Sequence, residues 1–213
     1  MESPLREGGG QPGLRLIETM LWDGAGCPRL PLHLARLAAG AAALGWDVPQ
    51  ARVQAALAGW PATPLRIRLT LDATGEVRVE TAAVPPPIPL WRLGLARVRL
   101  SSGDPWLSIK STNRAVYDDA RATLPNGLDE VIFQNERGEV CDGTITTLFF
   151  DRGQGMRTPP LSCGVLPGVL RAEVLAQGSV REEAFQSPDL ASARLWVGNA
   201  LRGLVPAVWV GAV

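Results

Sequence analysis

Hydrophobic periodicity in the first part of the chain changes repeatedly between that of a strand and that of a helix. Leu14–Trp22 is a largely apolar run that ends at an Asp-Gly turn signal, which predicts a strand. Residues 31–44 place Leu and Ala at the spacing of one helix face, so they predict a helix. Three further elements are predicted downstream: a helix at 49–57 and hairpin strands at 65–71 and 76–81, with one side of the hairpin in water. The Gly- and Pro-rich residues 1–13 are expected to be mobile.

A proline-rich segment separates this region from the rest of the chain. Prolines stand at 85, 86, 87 and 89. Proline lacks a backbone N–H and is poorly tolerated in a helix interior or a central strand. We therefore interpret residues 85–90 as a linker between a small α/β lobe, residues 1–84, and a larger lobe, residues 91–213.

The larger lobe contains both the hydrophobic period of strands and that of helices. A strand at 91–100 is followed by a loop that reaches Lys110 and by a helix at 113–124. The pattern then predicts four more elements: strands at 130–135 and 144–150 that flank a turn at 136–138, a helix at 169–176 and a short strand at 195–197. Hairpins and helices in mixed order indicate an α+β fold.

Composition narrows the class of protein. The chain is 46% hydrophobic and 20% charged, and its formal net charge is zero, so no charge bias favours a nucleic-acid or membrane partner over a small molecule. Its three cysteines are widely spaced without a CxxC pair, which predicts no disulfide framework and no metal site. Because no apolar run resembles a signal peptide or a membrane span, we expect a cytoplasmic protein.

Lys110 is the only lysine, and arginine supplies the other twenty basic residues. It lies at the end of an extended segment just before a predicted helix, where a poorly solvated amine can act as a nucleophile on a carbonyl group. A coding bias towards arginine would also leave one lysine by chance, and an exposed lysine is the plain structural alternative.

Two loops and one carboxylate are typical of an anion or cofactor site. Gly164–Arg171 delivers the chain into a helix start, whose N–H groups and dipole favour a phosphate. Gly198–Leu201 ends a strand with small residues and an amide side chain. Asp142 precedes an apolar strand, from which a carboxylate can pair with a ring nitrogen. An ordinary loop-to-helix junction and a simple Asp-Gly turn explain the same residues structurally.

Six motifs together resemble the class IV, or fold type IV, pyridoxal-phosphate enzymes, which include branched-chain and D-amino acid aminotransferases and aminodeoxychorismate lyase. They appear in the family order and spacing: Ile17-Glu18-Thr19, His33-Leu34-Ala35-Arg36-Leu37, Lys110-Ser111-Thr112-Asn113-Arg114, Asn135-Glu136-Arg137-Gly138, Leu166-Pro167-Gly168-Val169-Leu170-Arg171 and Gly198-Asn199-Ala200-Leu201. The resemblance covers Leu16 to Pro206. It implies a two-lobed fold, with a small α/β lobe and a larger, mixed, barrel-like lobe.

The resemblance also implies pyridoxal 5′-phosphate as the cofactor and gives roles to three side chains. Lys110 becomes the residue that forms the Schiff base and later moves protons. Arg36 becomes a phosphate ligand from the first lobe, although an exposed helix residue is the alternative. Asp142 falls where the family usually has Glu, the partner of the pyridine nitrogen, so a methylene is missing at this position.

Backbone groups complete the expected phosphate cup. By the same resemblance, Val169 and Leu170 present N–H groups, and Asn199 with Ala200 closes the other side. Thr147 departs from the family, which usually has Asn before the Leu-Phe pair, and most of an upstream strand of the family pattern is missing. His33 is the only histidine, which excludes a histidine triad, and we expect it at a helix surface or a lobe interface.

Within the family, the motifs resemble aminodeoxychorismate lyase most, which implies formation of 4-aminobenzoate and pyruvate from an amino-substituted carboxylic acid. An amino acid aminotransferase is the alternative, since both activities need the same cofactor site. A cofactor-binding relative without efficient turnover, and an α+β interaction domain without cofactor, remain open. The resemblance further implies a homodimer.

Overall fold

The computed structural model describes residues 4–212, in which helices and strands follow the order that the sequence predicts for most of the chain. The helices are α1 Pro4–Gly8, α2 Leu30–Leu44, α3 Gln50–Ala56, α4 Ala115–Ala122 and α5 Val169–Ala176. The strands are β1 Arg15–Trp22, β2 Leu65–Asp72, β3 Val77–Ala83, β4 Trp91–Leu100, β5 Glu130–Asn135, β6 Val140–Gly143, β7 Thr147–Asp151, β8 Arg157–Thr158, β9 Arg181–Glu182, β10 Arg194–Asn199 and β11 Gly203–Ala212. No helix within 4–212 combines the length and apolar character that crossing a bilayer requires.

Backbone contacts divide the chain into two compact units. The first consists of the chain up to Pro86 together with Ile109–Asn113, and the second of Pro87–Ser108 with the chain from Arg114 onwards. The sequence predicts lobes at 1–84 and 91–213. The short segment around Lys110 therefore groups with the first unit, although it lies inside the second in sequence.

The first unit is built on an antiparallel three-stranded sheet in the order β1-β2-β3. On β2 the alternating residues Ile67, Leu69 and Leu71 are buried, which confirms the hairpin with one wet face. Helix α2 packs against β1. Gly40 allows this close approach, since a Cβ there would lie 3.1 Å from the Leu16 side chain.

The amino-terminal segment is more ordered than the sequence predicts. Residues 4–8 form α1, and its Leu5 side chain is buried. The Trp46 indole N–H donates a hydrogen bond to the Gly9 carbonyl at 3.1 Å. The expected mobility is therefore wrong for this part of the chain, because one apolar anchor and one indole fix it; residues 1–3 lie outside the described range.

The second unit contains an eight-stranded mixed sheet in the order β6-β5-β4-β11-β10-β7-β8-β9. Strand β4 pairs in parallel with both β5 and β11, whereas β10 pairs antiparallel with β11 and β7. The core of this unit contains large side chains such as Trp91, Phe150 and Phe185, and the last two rings stack 4.0 Å apart. The mixed order confirms the α+β prediction.

One predicted hairpin is wrong in its pairing. The sequence pairs 130–135 with 144–150, but β5 forms its hairpin with β6, and residues 144–146 belong to no strand. Strand β7 starts at Thr147 and pairs with β10 instead. The reason is Glu130, whose carboxylate accepts hydrogen bonds from residues 144–146 and so holds them outside the ladder.

Candidate active site

Lys110 lies on a segment that extends the first unit's sheet beyond β1. The Ile17 N–H donates to the Lys110 carbonyl at 2.8 Å, and the Thr112 N–H donates to the Arg15 carbonyl at 2.8 Å. Ser111 forms an isolated antiparallel bridge with Leu16. These pairings fix the backbone of Lys110, and the residue as a whole is half-buried. The sequence predicted an extended segment here, but gave no sign that its partner would be β1.

A buried carboxylate on β1 holds Arg36. Glu18 is 2% exposed, and its two oxygens accept hydrogen bonds from Arg36 Nε at 2.8 Å and Arg36 Nη2 at 2.6 Å. Burial alone would raise the pKa of Glu18, but the hydrogen bonds from Arg36 and His33 hold that pKa below its usual value. Arg36 is therefore not an exposed helix residue: its guanidinium is fixed in orientation by a bidentate pair.

His33 belongs to the same cluster. Its Nδ1 lies 2.6 Å from Glu18 Oε2, and the residue is 2% exposed. The expected helix-surface position is wrong, because α2 turns this ring inward onto β1, while the alternative of a lobe interface stays a prediction. A signal was available in the sequence, since Glu18 is a carboxylate in the middle of an apolar strand, and such a group needs partners.

In the second unit Asp142 lies on β6 with its residue surface 5% exposed. Its Oδ2 accepts a hydrogen bond from the Leu166 N–H at 2.7 Å. This bond ties the carboxylate to the loop that leads into α5, so two predicted features of the site are directly connected. An Asp-Gly turn, the structural alternative, is not what is found, since Asp142 is a strand residue.

Helix α5 begins without a side-chain cap. Its N-cap is Gly168, and no side chain of the described residues bonds to its first N–H groups. Val169 and Leu170 occupy the first two helical positions, where N–H groups have no acceptor within the helix. Such an end, with the positive pole of the helix dipole, is suited to an anion.

The loop after β10 lies beside this helix end. A Cβ on Gly198 would lie 2.6 Å from the Leu170 side chain, so strand and helix touch at this glycine. Asn199 Oδ1 accepts from the Leu201 and Arg202 N–H groups at 3.1 and 3.0 Å, and its Nδ2 donates to the Ile145 carbonyl at 3.1 Å. The Asn199 side chain thus shapes the turn that carries Ala200.

Glu130 was missed by the sequence interpretation. This fully buried carboxylate accepts hydrogen bonds from the Thr144 hydroxyl at 2.5 Å, the Ile145 N–H at 3.2 Å and the Thr146 hydroxyl at 3.0 Å. Burial raises the pKa of Glu130, and the Thr144 hydrogen bond opposes that rise. A charged residue at the head of the otherwise apolar strand Glu130–Asn135 was the available signal.

Each unit therefore collects its own share of the predicted site residues. In the first, Lys110 and Arg36 are both tied to β1, at Ile17 and Glu18. In the second unit, the hydrogen bond from Leu166 to Asp142 joins the loop before α5 to β6, and the contact between Gly198 and Leu170 joins α5 to β10. The remaining predicted site residues lie on these connected elements: Asp142, Val169, Leu170, Asn199 and Ala200. Taken separately, the uncapped start of α5 offers backbone donors of the kind that suit a phosphate, and Lys110 offers an amine of the kind that reacts with an aldehyde.

Comparison with known proteins decides the family. The sequence profile described as amino-transferase class IV matches residues 15–209. This chain belongs to the amino-transferase class IV family. As a class IV enzyme it has the fold type IV architecture and depends on pyridoxal phosphate, as the sequence resemblance implied.

Individual relatives of this class IV enzyme carry different names. A Schizosaccharomyces pombe protein provisionally named aminodeoxychorismate lyase is 30% identical over 182 residues, which cover 79% of this chain and 76% of the relative. A Mesorhizobium loti structure, provisionally named an amino-acid aminotransferase, superimposes with a TM-score of 0.87 at 43% identity, covering 92% of this chain and 100% of that one.

The fold also matches a more distant structure. The PLP-bound form of a hypothetical aminotransferase from Mycobacterium tuberculosis superimposes with a TM-score of 0.78 over 95% of this chain and 83% of its own. At 20% identity this match concerns the architecture of the class IV enzyme alone.

Proposed function

We propose that this class IV enzyme binds pyridoxal phosphate through Lys110 and acts on an amino-substituted carboxylic acid. The observation that carries the proposal is the uncapped start of α5, which presents the Val169 and Leu170 N–H groups beside the Gly198–Asn199 turn. Because this end has a glycine where most helices have a side-chain cap, its donors are available to a phosphate.

The other residues of the site supply charge and position. Arg36 adds a guanidinium whose orientation is set by Glu18, and Asp142 supplies the carboxylate for the pyridine N–H. The Leu166 N–H orients the Asp142 carboxyl group through Oδ2. Asp142 would then accept a hydrogen bond from the ring nitrogen.

When bound, the cofactor supplies an aldehyde that captures amines and a ring that accepts electrons. Lys110 would hold the cofactor through its amine. When that amine is free, it would be the base that moves a proton on the substrate. Backbone pairing with β1 at Ile17 restrains the segment of Lys110 during both tasks.

Aminodeoxychorismate cleavage to 4-aminobenzoate and pyruvate is the activity we propose first. The support is the S. pombe relative of that name, which this chain matches over most of both lengths, together with the Lys-x-x-Asn-Arg and Asn-Ala-Leu motifs. Amino acid transamination is the second candidate, because the M. loti structure at 43% identity has an aminotransferase name.

Borohydride reduction of the protein loaded with pyridoxal phosphate tests the anchor. We expect a pyridoxyl group on the peptide that contains Lys110, identified by mass spectrometry, and no label in Lys110→Arg, which keeps the charge but cannot form the bond. A labelled amino terminus or an unlabelled chain would contradict the assignment.

Two assays with the same protein separate the activities. Incubation with aminodeoxychorismate is expected to release 4-aminobenzoate, whereas a panel of amino acids with 2-oxoglutarate is expected to give no glutamate. The reverse result supports the transaminase, and Lys110→Arg serves as the inactive control in both assays.

A further inference from the structure

Thr147 has a hydroxyl that the fold leaves without a partner. The residue is 6% exposed, and within residues 4–212 its hydroxyl makes no hydrogen bond. The Thr147 hydroxyl is not one of the fully enclosed side-chain atoms that lack a partner, so it keeps some accessible surface. A hydroxyl in this setting can still donate its proton to a ligand.

The hydroxyl lies at the start of α5. Thr147 Oγ1 is 2.9 Å from the point that a Cβ on Gly168 would occupy, and Gly168 is the N-cap of that helix. An ordinary N-cap side chain at position 168 would fill this space. The missing Cβ of Gly168 thus lets the Thr147 hydroxyl approach the backbone at the start of α5.

Strand pairing fixes where this hydroxyl lies. Thr147 is the first residue of β7 and pairs with Gly198 of β10, the glycine that contacts Leu170 of α5. The Arg171 guanidinium, from the first turn of α5, does not take this role, because it bonds to the Pro159 carbonyl and to Glu182. Within the second unit, the Thr147 hydroxyl is therefore the side-chain donor that we consider at this helix end.

We infer that Thr147 is a ligand of the cofactor phosphate, donating its hydroxyl proton to a phosphate oxygen at the start of α5. The inference rests on the proposed function and adds a binding residue to it. It also explains a departure from the family, in which Asn usually stands here: threonine, like asparagine, has a polar side chain that can donate a hydrogen bond.

Equilibrium titration with two cofactor forms tests this assignment. Pyridoxal phosphate and pyridoxal, which lacks the phosphate, are added separately to the purified protein and followed by visible absorbance. For Thr147→Val, which has nearly the same shape without the hydroxyl, we expect the affinity for pyridoxal phosphate to fall about tenfold or more, since the lost bond is to a charged group. The affinity for pyridoxal should stay unchanged, and Thr147→Ser should restore most of the loss.

Thr158→Val is the matched control. It removes another buried hydroxyl of the same sheet, which donates to the Leu148 carbonyl at 2.9 Å, so it should lower stability and leave both affinities alone. Should the valine variant at 147 fail to fold by circular dichroism, Thr147→Ala replaces it in the same titrations.

Three results would overturn the assignment. If Thr147→Val binds pyridoxal phosphate as tightly as the parent, the hydroxyl does not bind the phosphate. If Thr147→Val loses the same affinity for both cofactor forms, the Thr147 side chain contributes only packing. Either result leaves the proposed function standing. A parent protein that binds neither form would overturn the proposed function and the assignment together.

Discussion

Glu18 connects the two residues of the first unit that we assign to cofactor binding. Its carboxylate holds Arg36 through two hydrogen bonds and His33 through a third, and the neighbouring Ile17 holds the backbone of Lys110. A buried carboxylate with three strong donors is stabilised in its charged form. Glu18 therefore acts through Arg36 as a positioning residue.

Glu18→Gln should destabilise the protein by about 3 kcal/mol at neutral pH, because it leaves the guanidinium of Arg36 without a counter-charge in a largely buried place. The pKa of Glu18 is lowered in the folded state, so its contribution is present above the ordinary value of 4.5 and is lost as the pH falls through the folded value. Urea unfolding at several pH values should show the variant and the parent converging in acid.

Glu80→Gln is the control for that series, since it removes the same charge from an exposed position on β3. It should match the parent within about 0.5 kcal/mol. A gap between Glu18→Gln and the parent that stays constant into strong acid would show that folding does not lower the pKa of Glu18.

At the scale of elements, residues 144–146 form a loop that is held from three sides. Glu130 accepts hydrogen bonds from all three of its residues, Arg114 donates to the Thr144 carbonyl, and Asn199 donates to the Ile145 carbonyl. This loop lies directly between Asp142–Gly143 and Thr147. Its rigidity therefore sets the register of both a proposed ring partner and a proposed phosphate ligand.

Glu130→Gln should cost about 1 to 3 kcal/mol in acid, because one amide N–H₂ replaces an acceptor that faces backbone and hydroxyl donors. Burial raises the pKa of Glu130, so between 4.5 and that raised value the folded parent holds a proton that the unfolded chain has lost. The parent's stability therefore falls as the pH rises through this window. The difference in unfolding free energy between parent and variant, measured with urea, should therefore narrow as the pH rises. A difference that widens with rising pH would contradict this prediction.

Elements with a clear period could be predicted from the sequence, and their pairing could not. Strand β1, helix α2 and helix α5 lie within one residue of their predicted bounds. The sequence did not tell that β5 pairs with β6 rather than with residues 144–150, since a period of two indicates that a strand exists and not which strand lies next to it. For the same reason, the sequence does not predict that the segment around Lys110 pairs with β1.

The helix start at Gly168–Val169 could be predicted from its motif, whereas the roles of the residues there stay predictions. The site was not predictable where a side chain acts through long-range contacts. Glu130 lies 14 residues from the Thr144 hydroxyl that it holds, and Glu18 lies 18 residues from Arg36. Such pairs become visible only when the fold brings distant positions together.

At the scale of the whole molecule, the last strand is central to the second unit. Strand β11 lies between β4 and β10, and its alternate residues Val205, Ala207 and Trp209 pack on the core of that unit. The structure shows a strand in the middle of the sheet.

A chain that ends at Arg202 should not fold into a soluble protein, because it leaves β4 and β10 as unpaired edges with their apolar side chains uncovered. A chain that ends at Val210 keeps every pairing of β11 with β10 and should remain soluble. The soluble fraction after expression and size-exclusion chromatography compare the two. Equal solubility would show that β11 is dispensable.

The segment that contains Lys110 makes the chain pass from the second unit to the first and back again. It is a five-residue insert, Ile109–Asn113, that groups with one unit while the chain on both sides of it groups with the other. No single cut can therefore free either unit intact, and cleavage in the proline-rich stretch would still leave Lys110 paired with β1. Recombination that exchanges only the amino-terminal part would have to supply a new β1 edge that accepts residues 110–112. Lys110 and β1 must consequently be inherited as a pair.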